Sequence, residues 1–278
     1  MSTTDFARDL AIWREGRLAR LTAPDGWLTL VGLPWLSVGE NTLGSAPDNA
    51  IVVADLPAHF GTVTLDGDGN ARLRLDPQAH GLVNGMAATG ALLLDDEQPQ
   101  PTVVSAGDVS FYLVRRGDHV GLRIKHAHAS TREHFLGLEH FPDDPSWRIE
   151  ATWQPAEPGH ALEMVTAIGT LERHPVAGLA TFARDGRRFE LLAVRESPDE
   201  TQHFIVFADL TSGRETYGAA RFLYTEPLRE DAVVLDFNRA YNPPCCFTAF
   251  ATCPMAPPEN RLDIRVTAGE LKYRGSAH

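Results

Sequence analysis

Gly61-Thr62-Val63-Thr64-Leu65, Asp66-Gly67-Asp68-Gly69-Asn70 and Ala71-Arg72-Leu73-Arg74-Leu75 follow one another without a break. The outer two stretches alternate apolar and polar residues with the period of a half-buried strand. The middle one is rich in residues that tolerate positive φ, so it reads as a hairpin turn. Working outward, Ile51–Val53, Ala91–Leu94 and Val109–Val114 are further short strands. Strands this short and closely spaced predict a sandwich or small barrel.

The pattern continues downstream through 121–125, 147–153, 161–171, 179–183, 188–194, 203–207 and 221–223. Arg184-Asp185-Gly186 and Leu210-Thr211-Ser212-Gly213 supply turns between them. The chain is therefore expected to be mainly β, with a β-sandwich over 27–118. A second antiparallel unit, a half-barrel or barrel-like sheet, is expected over 119–278.

Ahead of the strands, residues 4–21 carry Phe6, Leu10, Trp13 and Leu21 at helical spacing, with Ile12 and Leu18 at the margins. Thr3 or Thr4 is a suitable N-cap, and Pro24 with Asp25-Gly26 ends the segment. A helix within 1–26 that docks on the β core is expected.

The chain has 278 residues, 25 Lys plus Arg against 37 Asp plus Glu, and a formal net charge of -12. A chain of this size buries roughly 70% of its unfolded surface, enough for a core without metal or disulfide staples. The negative field disfavours nucleic acid and anionic lipid as partners. The charged opening residues and the absence of an 18-residue apolar run predict no signal peptide and no membrane span. Cys245, Cys246 and Cys253 suit a reducing compartment. A cytoplasmic protein is expected.

The first β unit resembles forkhead-associated (FHA) sandwiches. The resemblance runs through Gly39-Glu40-Asn41-Thr42-Leu43-Gly44-Ser45, Ile51–Val53, Gly61–Leu65 and Val83-Asn84-Gly85. Such domains often read phosphothreonine with an Arg after the first-loop glycine and a Ser-Arg pair before the next strand. Ser45 and Leu56-Pro57-Ala58-His59 stand at those places. The resemblance thus implies the scaffold without the phosphopeptide grip.

The most unusual stretch runs from Asp236 to Glu270. Pro243, Pro244, Pro254, Pro257 and Pro258 remove backbone donors and stiffen it, while Phe237, Tyr241, Phe247 and Phe250 predict that it packs. A rigid, irregular path must satisfy its polar groups internally, as architecture or by aiming side chains at a ligand. Markers along the second half resemble the bacterial domain-of-unknown-function family 1684. They include Phe207–Gly213, Thr216-Tyr217-Gly218, Arg221-Phe222-Leu223, Asp236-Phe237-Asn238, Ala240–Cys245, Thr252-Cys253-Pro254, Pro258–Leu262 and Ala268-Gly269-Glu270. That resemblance implies no reaction.

The leading expectation is a C-terminal pocket for a small polar or anionic molecule. Asn238, Asn242 and Asn260 would supply directed hydrogen bonds, and Lys125, Arg132 and Arg221 the charge. Asp236, Tyr241 and Cys245 are the catalytic candidates, with Asp236 as a base or as a partner for Arg221. A structural or protein-interaction β module without a ligand is the first alternative. A metal-dependent enzyme is the second, because His126 and His128 share one face of a strand. The CC-x6-C spacing of the cysteines lacks the fourth ligand of structural zinc. No nucleotide loop, G-x-S-x-G, H-E-x-x-H or zinc-deaminase signature occurs, and no cofactor is predicted.

Overall fold

The hairpin at 61–75 forms as its pattern dictates, and it is the centre of one face of a sandwich. The computed structural model describes residues 3–275 and divides the chain into two units. One is Thr22–His134; the other joins Met1–Leu21 to Phe135–His278.

In the Thr22–His134 unit, the strands are β1 (Leu30–Gly32), β2 (Gly39–Gly44), β3 (Ile51–Val52), β4 (Gly61–Leu65), β5 (Ala71–Leu75), β6 (Leu82–Val83), β7 (Met86–Ala87), β8 (Gly90–Leu93), β9 (Val103–Ala106), β10 (Val109–Arg116) and β11 (His119–His126). A five-stranded sheet has the order β3-β2-β4-β5-β8, and a six-stranded sheet the order β1-β11-β10-β9-β6-β7. Val63 pairs with Leu73 across the β4–β5 hairpin, and both side chains are buried. Phe60 and Phe111 meet edge to face at 6.1 Å in the core between the sheets. The unit is the FHA-like sandwich that the sequence implies. Its border lies beyond residue 118, because β11 pairs along its whole length with β10. At the FHA recognition loops, Ser45 and Ala46 N–H groups donate to the Pro57 and Ala58 carbonyls.

The other unit begins with helix α1 (Thr3–Thr22). Thr3 and Thr4 fall inside the helix, so its cap position lies outside the described residues. Phe6, Leu10 and Leu21 are buried as the stripe predicts, and Arg17 is buried with them. The marginal Ile12 and Leu18 are exposed. Among the described residues, no helix is long and apolar enough to cross a membrane.

Its strands are β12 (Arg148–Pro155), β13 (Ala161–Val165), β14 (Leu171–Arg184), β15 (Arg187–Val194), β16 (Phe204–Phe207), β17 (Arg221–Tyr224) and β18 (Ala232–Asp236). They make a seven-stranded antiparallel sheet, order β17-β16-β15-β14-β12-β18, with β13 on β14. The sheet curls into a half-barrel. Glu226 N–H donates to Val234 O at 3.0 Å, drawing the chain beyond β17 toward the opposite edge strand. Inside, Phe237 packs against Trp147, Phe182 and Phe207 at centroid distances of 5.7, 5.7 and 5.5 Å. Val266 and Ala268 complete that core. Gly269 passes so close to Ala240 that a Cβ there would sit 2.5 Å from its carbonyl oxygen, and its φ of +85° suits only glycine well.

Candidate functional site

The Asp236–Glu270 segment closes the half-barrel, and its asparagines hold main chain. Asn238 donates from Nδ2 to Asp144 O at 2.9 Å and accepts from Asp144 N–H at 3.1 Å. Asn260 accepts from Leu192 N–H at 2.8 Å and donates to Leu192 O and Val206 O at 2.9 and 3.0 Å. Each amide thus imitates a strand partner for a backbone stretch that the irregular path would leave unsatisfied. Asn242 donates to Leu271 O at 2.7 Å, and its buried Oδ1 has no hydrogen-bond partner among the described residues.

Arg221 is fully buried, with its guanidinium 5.0 Å from the Phe207 ring centroid. Its partner is Asp209 at 2.6 Å, and it also donates to Ala268 O and Val266 O. The Asp236 pairing entertained for Arg221 is therefore replaced by Asp209. Asp209 also accepts from Thr211 and from Val266 N–H, so one carboxylate fixes a turn, an arginine and the final strand-like stretch. Burial pulls the Arg221 guanidinium below its usual range, and the Asp209 carboxylate opposes that shift.

A second buried ion pair escaped the sequence reading. Arg17 Nε donates to Glu270 Oε1 at 3.1 Å and its Nη2 to Asn242 O at 3.0 Å. Its guanidinium lies 4.7 Å from the Tyr241 ring centroid, a cation–π contact. A charge in an apolar helix stripe, four residues after Trp13, was the available signal. Nearby, the main chain of His140 pairs with that of Glu270 as an isolated antiparallel β-bridge. Burial, reinforced by the Arg14 guanidinium, pushes its imidazole down to about 4.

The catalytic candidates have structural employment. Asp236 Oδ1 accepts from Asn238 N–H and Nδ2, capping the turn Phe237–Arg239. Its other oxygen lies 3.3 Å from Arg239 Nε, an ion pair without an aligned hydrogen bond. Burial raises its carboxyl above the usual range. Burial also raises the Tyr241 phenol, which keeps the hydroxyl neutral. Cys245 is buried and its thiol donates to Ala251 O at 3.4 Å.

The remaining candidates lie in the sandwich unit, where a cleft opens beside the edge strands β1 and β3. It has a volume of about 480 Å³, lined chiefly by Val31, Pro34, Val52 and Ile124, with Asp55, His126 and His128 as its ionisable groups. His126 Nδ1 accepts from His128 N–H at 3.0 Å, so the hydrogen-bond network assigns the ring proton to Nε2. That nitrogen lies 3.3 Å from Asp55 Oδ2. Asp55 sits at a φ of +65° and its side chain is 71% exposed.

His128 approaches Glu133 at 3.0 Å and Asp108 at 3.9 Å. Among the described residues, no three His, Cys, Asp or Glu side chains gather closely enough to hold a metal ion. The metal reading of His126 and His128 therefore lacks a ligand set. Lys125 donates to Asp25 O at 2.5 Å and lies over the Tyr112 ring. Arg132 donates to Thr22 O and Ala127 O, both at 2.8 Å. Both cations bond within the sandwich unit, whereas Arg221, Asn238, Asn242 and Asn260 belong to the other unit.

The sequence model of a family described as "Protein of unknown function (DUF1684)" matches residues 133–271, half of the chain. No curated protein matches. Among solved structures, the chain is similar to the solution NMR structure of an uncharacterized protein from Haloarcula marismortui. The two are 35% identical over 50% of this chain and 78% of that one, with a TM-score of 0.43. That relative is archaeal, not bacterial.

Proposed function

Since the chain belongs to the DUF1684 family, whose description carries no activity, we propose from its own geometry that it binds a small molecule in the β1/β3 cleft. The ligand has an apolar body and a cationic or hydrogen-bond-donating head. The carrying observation is the cleft itself: about 480 Å³, mostly aliphatic, with Asp55 in its lining. Small-molecule sites commonly span about 300–1,000 Å³ and combine apolar walls with a few polar groups.

The one carboxylate in the lining, Asp55, favours a cation over the anion anticipated from the sequence. Asp55 contributes a carboxylate, and Asp108 and Glu133 stand beside His128. Lys125 and Arg132, the cations expected to attract an anion, are directed at carbonyls instead. The C-terminal polar segment is assigned to architecture, because Arg221, Asn238 and Asn260 each hold main chain. The free cysteines support a cytoplasmic setting.

Hexylamine and hexanoate form a matched pair of probes, tested by thermal shift at equal ionic strength. Hexylamine should raise the transition temperature in a saturable way and hexanoate should not. Asp55→Asn should weaken the amine's effect about tenfold, since a charge-assisted hydrogen bond contributes roughly 1.5–3 kcal/mol. Equal responses to both probes, or to neither, would remove the cationic reading.

A further inference from the structure

The three cysteines play no part in the cleft, and two of them stand in an unusual relation. Cys245 N–H donates to Cys253 Sγ at 3.2 Å, and Cys253 N–H donates to Cys245 Sγ at 3.2 Å. These reciprocal contacts put both sulfurs in the space between two main-chain segments that face each other. Both segments are anchored. Pro243 and Pro244 carbonyls accept from Cys246 and Phe247 N–H groups on one side, and Cys253 O accepts from Ala167 N–H on the other. Pro254 is bridged to Thr166 as well. Neither thiol can drift far from its partner, and the loop between them reaches solvent at Ala249 and Phe250.

We propose that Cys245 and Cys253 form a reversible disulfide when the folded protein meets a hydroperoxide, and that Cys246 stays a thiol. The order of events follows from the hydrogen bonds. Each sulfur accepts an N–H from the other cysteine, a contact that favours thiolate, and Cys245 also donates its thiol hydrogen to Ala251 O, which holds its proton and leaves the attack to Cys253. Cys253 sulfur attacks the distal peroxide oxygen, the O–O bond breaks, and an alcohol (water from hydrogen peroxide) leaves, giving a sulfenic acid. Cys245 sulfur then attacks Cys253 sulfur, the S–O bond breaks and water leaves with the Cys245 proton. Two thiols are oxidised to one disulfide and one hydroperoxide is reduced, so the step is balanced. Cys246 is 1% exposed, and burial pushes its thiol up to about 11, which keeps it a poor nucleophile.

The test treats the folded full-length chain with hydrogen peroxide, blocks remaining thiols with iodoacetamide under denaturing conditions, and maps the peptides by mass spectrometry. No Lys or Arg lies between Cys245 and Cys253, so chymotryptic cleavage at Phe247 or Phe250 must separate them. The expected result is a loss of two hydrogen masses, a Cys245–Cys253 cross-linked peptide pair, an alkylated Cys246 and full reversal by dithiothreitol. Cys246→Ala should leave the yield of the link unchanged, and Cys253→Ala should abolish it. A Cys245–Cys246 link, a link between chains, sulfinic acid without a link, or three persistent thiols would each overturn the proposal.

Discussion

Arg17 Nε lies 3.1 Å from Glu270 Oε1, so one buried ion pair ties the first helix to the end of the Pro-rich segment. The side chains are 9% and 0% exposed. Removing one partner of such a pair strands a buried charge and typically costs about 3–5 kcal/mol, whereas replacing both can be far milder. Arg17→Met and Glu270→Leu should each destabilise by roughly that amount, and the double variant by clearly less than their sum. Urea denaturation of the four proteins measures this. Additive single-variant losses would mean that the pair does not fasten the helix.

Asn260 offers a second test of the architectural role of the segment. Its Nδ2 group faces the Leu192 and Val206 carbonyls. Asn260→Asp keeps the volume and puts an acceptor against those acceptors, so a loss of about 2–4 kcal/mol is expected. Asn260→Ala should cost less than Asp does. Denaturation midpoints decide the order, and an innocuous Asp would contradict it.

His140 predicts a particular acid response. Its folded value is about 4 against an ordinary 6.5, so the unfolded chain binds the proton first. The sign follows: stability due to neutral His140 is complete above pH 6.5, declines as pH falls, and levels off below about 4. After discounting for partial solvent screening, the contribution is about 2 kcal/mol. His140→Gln should flatten this window relative to the parent chain. Parallel stability–pH curves for the two proteins would contradict the assignment.

Much of the fold is written locally. β5 follows the alternation residue for residue and β4 departs from it at Thr62, which is buried beside Val63; the turn residues between them accept their dihedrals. The stretch 161–171, expected as one strand, is two strands joined by a turn at Thr166–Thr170. Gly169, at a φ of +82°, is the break that alternation concealed. β18 is a continuous apolar run, Val233-Val234-Leu235, with no polar alternation to mark it.

The candidate site was less legible for a different reason. Sequence identifies Asn260 as polar in a packed segment, but its partner Leu192 is 68 residues away. Arg221 advertises that it needs an acid, and Asp236 is the partner the sequence suggests, because nothing local marks Asp209 as more than a turn residue. Asp55 joins His126 only because β3 and β11 belong to opposite sheets of one sandwich.

The small-molecule reading stands most directly on where a ligand binds. Titrating hexylamine into nitrogen-15-labelled protein and following backbone amides by NMR reads this position by position. Saturable shifts concentrated at residues 50–55 and 126–129, absent with hexanoate and weakened by Asp55→Asn, are the predicted result. No saturable shift there, or shifts centred on the Asp236–Glu270 segment, would contradict it.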